Sequence, residues 1–170
     1  MILLLDTTTE KTGKTVAEEL LSSGKTETDF EWVDTVGMNI SHCIGCNCCW
    51  LKTPGKCVIK DDYEAIMLKI LHADQVWLIS DTRFGFVTYQ TKKLVDRIMP
   101  LITMYLRFKG TQMRHVMRYK HRSDFGLIYT GEGNQEHLEF WIKRVALNMD
   151  AKSPGAFDLS HIKEAVSCML

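Results

Sequence analysis

The chain has 170 residues, is 45% hydrophobic, and balances 21 Lys plus Arg against 21 Asp plus Glu for a formal net charge of zero. That length suits one domain with its own core, and the even balance excludes a general binder of nucleic acid or membrane surfaces, which carries a charge excess. The first apolar run, Ile2–Leu5, is too short for a signal-peptide core and no basic segment precedes it. No stretch approaches the roughly 20 apolar residues of a membrane span, so a cytoplasmic location is expected.

In chain order, Ile2–Leu5 reads as a strand covered on both faces, because four consecutive apolar residues suit a parallel sheet. Thr15–Ser22 reads as a helix with Val16, Ala17, Leu20 and Leu21 on one side, stopped by Gly24. Phe30–Val36 is a weaker second strand. The segment from Cys43 to Cys57, with Gly45, Pro54 and Gly55, reads as an irregular loop. Asp61 looks like an N-cap with Glu64 three residues on, opening a helix to about Leu71. Gln75–Ser80 is a strand. Thr88–Met99 is helical up to Pro100, which ends or kinks it. Asp124–Thr130 is another strand and Asn134–Leu147 another helix. The last strand falls at Ala146–Met149 or Ala156–Leu159, and Asp158–Met169 is a final helix capped by Ser160.

Alternating strands and helices predict a doubly wound parallel sheet of five strands in three α/β/α layers, as one domain over residues 1–170 with a cysteine-rich insert at about 41–60. Ligands of such sheets bind beyond the carboxyl ends of the strands. That rule selects three loops: Asp6–Lys14, Ser80–Thr88 and Thr130–Asn134. The first, DTTTEKTGKT, joins a strand to a helix; its hydroxyls and free helix-start N–H groups suit an anion, or merely cap the helix. It lacks the first glycine of a P-loop.

Five of the six cysteines crowd into one segment, spaced Cys43-x2-Cys46-x2-Cys49-x7-Cys57 with Cys48 beside Cys49. Structural disulfides are disfavoured in a reducing compartment. Three thiolates at two-residue gaps can wrap one face of a cubane cluster, and a fourth beyond a turn can close it. A dithiol redox site and plain reduced loop cysteines stand as alternatives; two separated zinc knuckles do not match. Lys92, Asp96 and Arg97 read as a solvated or interfacial ion-pair set. The basic segment Arg107–Arg122 is an exposed face, or a cationic rim for a phosphate or an acidic partner.

The segments HCIGCNCCWLKTPGKCVIKDDYEAI and SDTRFGFVTYQTKKLVDR resemble the iron–sulfur flavoproteins and their relatives, the NAD(P)H-dependent FMN reductases. The cysteine spacing, Lys60-Asp61-Asp62, Phe84-Gly85, Lys92 and Asp96-Arg97 carry the resemblance, which extends over most of residues 1–133. It implies a flavodoxin-like fold, one FMN per subunit, a homodimer or homotetramer, and electron transfer between NAD(P)H or a redox protein and an acceptor, with no acid–base catalytic side chain required. FMN is then expected with its phosphate at Thr8, Thr9, Lys14 and Thr15. Its ring is expected against Arg83, Phe84, Gly85 and the turn Thr130, Gly131, Glu132 and Gly133, with Thr7, Ser80 and Thr82 completing the site. A [4Fe–4S] cluster is expected on Cys43, Cys46, Cys49 and Cys57, near the subunit surface, exchanging electrons with the flavin of a neighbouring subunit. Where the family has Gly-Ser-Pro-Arg, this chain has Thr7-Thr8-Thr9-Glu10; Asp81 and Arg83 also depart from the pattern. Those departures favour a second reading, a flavodoxin-like metal-binding or interaction module without tight flavin binding.

Overall fold

Strand β1 (Ile2–Asp6) is buried along its whole length. Its residues alternate between two cores: Leu3 and Leu5 join one cluster, Ile2 and Leu4 the other. An unbroken apolar run is therefore what a strand covered on both faces requires. The structure, a computed structural model, describes residues 1–169. Helix α1 (Thr12–Ser22) follows, then β2 (Phe30–Asp34), the short α2 (Cys48–Leu51), α3 (Tyr63–His72), β3 (Gln75–Arg83), β4 (Phe86–Val87) and α4 (Tyr89–Asp96). A 3-10 turn at Met99–Leu101 leads into β5 (Ile102–Lys109) and β6 (Gln112–Met117). The chain continues through β7 (Asp124–Thr130), α5 (Gln135–Asn148), β8 (Gly155–Asp158), a second 3-10 turn and α6 (Ile162–Ser167).

Five strands run parallel in the order β2-β1-β3-β7-β8, and β4 adds antiparallel to β3. Val16 and Leu20 of α1 and Ala165 and Val166 of α6 pack on one face with Trp77 and Ile79; Ile66, Leu94 and Ile142 of α3, α4 and α5 pack on the other. The expected five-stranded, three-layer architecture is present. Of the two positions for the last strand, the second is the one used. Trp77 of β3 lies opposite Gly126 of β7 in register, and its ring fills the space a side chain at 126 would need.

Four local expectations need correction. The apolar stretch Ile98–Phe108, where no strand was expected, is mostly β5, one arm of a two-stranded antiparallel hairpin outside the main sheet. The β-branched Ile102 and Thr103, the aromatic Tyr105 and Phe108, and the left-handed Gly110 (φ 61°) at the turn are its local causes. Asp62 holds the N-cap position of α3 but makes no cap bond; it is the Asp61 carboxylate that accepts from the first N–H of the helix, Tyr63, while also accepting from Ser41 N–H and pairing with Arg97. Arg97, read with Lys92 and Asp96 as a solvated or interfacial ion-pair set, instead pairs with Asp61 and has a side chain only 1% exposed, while Lys92 and Asp96 pair with each other at the surface. The terminal helix begins at Ile162, and the cap at its approach is Asp158, which accepts from the Ser160 N–H. Among the described residues no helix is long and apolar enough to cross a membrane.

Candidate functional site

The order of the strands reverses between β1 and β3, and a cleft opens beyond their carboxyl ends. Thr7, Thr9, Asp81, Arg83, Phe84, Phe86, Val87, Thr88, Tyr89 and Gln90 line it, enclosing about 1320 Å³ counted to the open mouth. Phe84 and Gly85 form the two-residue turn between β3 and β4, both left-handed at φ 53° and 75°. A left-handed phenylalanine is strained, and such strain gathers at ligand clamps. Its ring is fully exposed over the cleft. The turn is tied to the loop after β7 by the Asn134 N–H donating to Gly85 O at 3.0 Å and by a bridge between Gly85 and Gly133. Thr88 is the N-cap residue of α4 but makes no cap bond. Its hydroxyl is buried without a partner, which is rare for a buried polar atom unless a ligand supplies the bond.

The phosphate end differs. Asp6, at the end of β1, is fully buried. Its carboxylate accepts from Thr8 N–H (2.9 Å), Thr8 Oγ1 (2.7 Å), Gly13 N–H (2.7 Å) and Trp32 Nε1 (3.3 Å). The Thr12 N–H donates to Thr8 Oγ1 at 2.8 Å. The donors that open α1, the natural anion cradle, are thus taken by the chain itself. Asp81 acts similarly, accepting from Thr9 N–H at 3.2 Å and from Thr130 Oγ1 at 2.8 Å, so it laces the first loop to the third.

Of the expected flavin contacts, Thr7, Thr9, Arg83 and Phe84 line the cleft. Thr8 and Ser80 are buried with their hydroxyls committed, Ser80 to Asp81 O. Thr82 donates to Thr130 O. Lys14 lies 3.9 Å from Glu18 on the outer side of α1, Thr15 is exposed there, and neither lines the cleft. Gly131, Glu132 and Gly133 flank the cleft through Gly85 without lining it. Phe86, Val87, Tyr89 and Gln90 were not named from the sequence, and Asp6 and Thr88 entered it only as the bounds of selected segments. Thr88 had a findable signal, a threonine opening a helix beside a glycine turn; Asp6 had none beyond ending a strand.

At the other end of α4 lies a second site. Cys43, Cys46, Cys49 and Cys57 line one hollow with Trp50, Arg97, Met99 and Pro100, while Cys48 does not line it. The hollow encloses about 450 Å³ counted to its mouth. Left-handed Gly45, Asn47 and Gly55 fold the loop back so that four of five thiols face inward. Trp50 closes one wall, its Nε1 donating to Met99 O at 3.0 Å. Hydrogen bonds from the Cys48 N–H and thiol hold Cys46 below the usual thiol range, and the same contact pushes Cys48 up. Burial, then the neighbouring Cys57 and Cys43, pushes Cys49 up. Among the described residues no three His, Cys, Asp or Glu side chains are close enough for a single metal ion. Four soft thiols around one hollow are the kind of donor that iron–sulfur clusters take. Thr88 and Arg97 cap the two ends of α4, which sets the cleft and the hollow about 14 Å apart along the helix axis at about 1.5 Å per residue.

A 2-1-3-4-5 parallel order with a cleft at the switch point defines a flavodoxin-like protein. No family model matches the chain. It is 38% identical over 86 residues to an iron–sulfur flavoprotein of Methanocaldococcus jannaschii, covering 51% of this chain and 44% of that protein. It is 28% identical over 128 residues to an iron–sulfur flavoprotein of Archaeoglobus fulgidus, covering 75% of this chain and 51% of that one. The chain thus spans about half the length of these curated relatives. Among solved structures, RosB with a bound flavin-phosphate intermediate superposes with a TM-score of 0.61 at 12% identity, covering 92% of this chain and 63% of that one. An NADH:FMN oxidoreductase in its apo form superposes at 0.56 with 11% identity, covering 99% and 85%. The resemblance to iron–sulfur flavoproteins is borne out in sequence, and the flavodoxin-like fold in structure.

Proposed function

We propose that this chain is a flavin-dependent electron-transfer oxidoreductase with an iron–sulfur centre. The observation that carries the reading is the cleft beyond β1 and β3, where the buried, unpartnered Thr88 hydroxyl and the exposed, strained Phe84 await a planar ligand. The ring of FMN fits there between Arg83, Phe84, Tyr89 and Thr88. When bound, FMN supplies hydride and single-electron chemistry. The chain orients the ring, and α4, whose N-terminus opens on the cleft, favours negative charge on it. NAD(P)H is proposed as electron donor, a reading supported as far as NADH by the names of two solved neighbours, an NADH:FMN oxidoreductase and an FMN-dependent NADH-azoreductase. Cys43, Cys46, Cys49 and Cys57 are proposed to hold a [4Fe–4S] cluster, supported by their common hollow and by the names of the curated relatives.

Titration with FMN tests the first part; no quenching of flavin fluorescence at high micromolar protein overturns it. Anaerobic reconstitution tests the second. Cys48→Ser is expected to keep its iron and sulfide, because that thiol lies outside the hollow, and Cys49→Ser to lose most of both. Loss on Cys48→Ser with retention on Cys49→Ser overturns this ligand set.

One observation favours the second reading. Because Asp6 occupies the amides of the α1 cradle, a flavin phosphate must compete with a buried carboxylate. A module that has lost tight FMN binding but keeps its cysteine site would show iron and sulfide without flavin.

A further inference from the structure

We propose that Arg97 is a built-in hydrogen-bond donor to the occupant of the cysteine hollow, and that it sets the reduction potential of the cluster held there. This rests on the cluster reading above. Arg97 caps the carboxyl end of α4 and its side chain is 1% exposed. Its guanidinium carries five N–H donors in a fixed fork. Nη1 donates to Asp61 Oδ2 at 2.5 Å and to Ser41 O at 3.1 Å. The guanidinium lies over the ring of Tyr63, its central carbon 4.6 Å from the ring centroid. Nε and Nη2, which carry the other three N–H groups, are buried and have no partner.

An arginine so placed is already anchored by its one ion pair, so the remaining donors are not needed to hold it. They are expensive to leave unmade. Arg97 lines the hollow together with the four inward cysteines, so the orphaned fork stands in the wall where cluster sulfurs and the Cys57 thiolate would be. The ion pair with Asp61, both side chains almost wholly buried, fixes the guanidinium in that wall. A cation that cannot deprotonate is thereby fixed beside a site that would carry net negative charge once four thiolates bind a cluster.

The direction of the effect follows. One-electron reduction adds a negative charge to the cluster with no bond broken and no proton required. N–H donors and a fixed positive charge stabilise the reduced state more than the oxidised one, so they raise the potential; hydrogen bonds to the sulfurs are among the factors that set it. Removing them favours the oxidised cluster.

The test is a potentiometric titration of the anaerobically reconstituted protein, with dithionite as reductant and electron paramagnetic resonance as readout. Arg97→Gln removes the charge but strands Asp61, so the double variant Arg97→Gln/Asp61→Asn is measured beside it to keep the pair neutral; Arg97→Lys keeps the charge without the fork. Both neutral variants are expected to shift the reduction equilibrium at least tenfold toward the oxidised cluster, about 59 mV for one electron, with Arg97→Lys between them and the unaltered protein. Full iron content with an unchanged potential and spectrum in the folded double variant overturns the proposal and leaves Arg97 as the structural partner of Asp61 alone. If the unaltered protein takes up no iron and sulfide, the cluster reading fails, and this inference with it.

Discussion

Thr88 is the residue on which the flavin reading can be tested most directly. Its hydroxyl is buried and unpaired at the mouth of α4, so Thr88→Val removes one prospective bond to a ligand and nothing from the protein. Flavin affinity is expected to fall by about 1 kcal/mol, roughly fivefold, with stability unchanged or slightly raised. Isothermal titration against FMN and riboflavin reads this. The two flavins are expected to bind within about threefold of each other, because the phosphate cradle is filled by Asp6 and a lost phosphate bond is worth about 1 kcal/mol or more elsewhere. A strong preference for FMN would mean that Asp6 yields the amides. The legibility of these residues from sequence was uneven. Cys43, Cys46, Cys49 and Cys57 were readable because spacing alone brings thiols together on one loop. Asp6 was not, because its partners Gly13 and Trp32 come from other turns of the chain.

At the scale of elements, the centre of the sheet depends on one small residue. A Cβ added to Gly126 of β7 would lie 2.6 Å from the Trp77 ring carbons of β3. Both strands are buried and the Trp77 Nε1 is held by Gln75 Oε1 at 3.0 Å, so the ring has little freedom to move. Gly126→Ala is expected to destabilise the fold by about 1–3 kcal/mol, measured by urea denaturation. The β5–β6 hairpin is attached differently. Arg107 (2.9 Å) and Lys109 (2.5 Å) of β5 and Arg122 (3.8 Å) converge on Asp150, after α5. Hydrogen bonding from Lys109, then the charges around it, holds the Asp150 carboxyl below its usual value of 3.8. A lowered folded-state value means that the stability it contributes is complete above about pH 4 and is lost as the pH falls further. Asp150→Asn, tolerated at the left-handed φ of 57°, is expected to lower the melting temperature at pH 7 and to make little difference at pH 3.

At the scale of the molecule, the hairpin projects beyond the sheet with Met104, Tyr105, Leu106, Phe108 and Met113 exposed. An apolar cluster of this kind marks an interaction surface, and a second copy of the chain is the proposed occupant. Light scattering at micromolar concentration is expected to give a dimer or tetramer, and Phe108→Glu to shift it toward the monomer while circular dichroism is unchanged. A monomeric mass for the unaltered protein would sink the idea. Such an assembly would also bear on electron flow. The cleft and the hollow sit at opposite ends of α4, about 14 Å apart within one chain, and a neighbouring subunit offers a second flavin.

What the sequence determined by itself is whatever depends on local pattern. Apolar runs marked β1, β3 and β7; the helix from Asn134 was readable; the cysteine spacing picked out the four thiols that share one hollow. The alternation of strand and helix was enough for the doubly wound sheet, since each parallel crossover needs a helix to cover the face it leaves. What only the tertiary structure decided is whatever depends on which distant groups share a partner. The sequence cannot show that Asp61, besides accepting from the first N–H of α3, faces Arg97, because that pairing spans 36 residues and two helices. It cannot show that Asp6 fills the anion cradle that the threonines beside it advertise. Nor did the apolar composition between Ile102 and Met117 by itself place a hairpin there, whose mostly exposed strands are defined by their pairing with each other rather than by a buried face. Long-range hydrogen bonds and burial are properties of the assembled chain, and the chemistry of both sites lies in them.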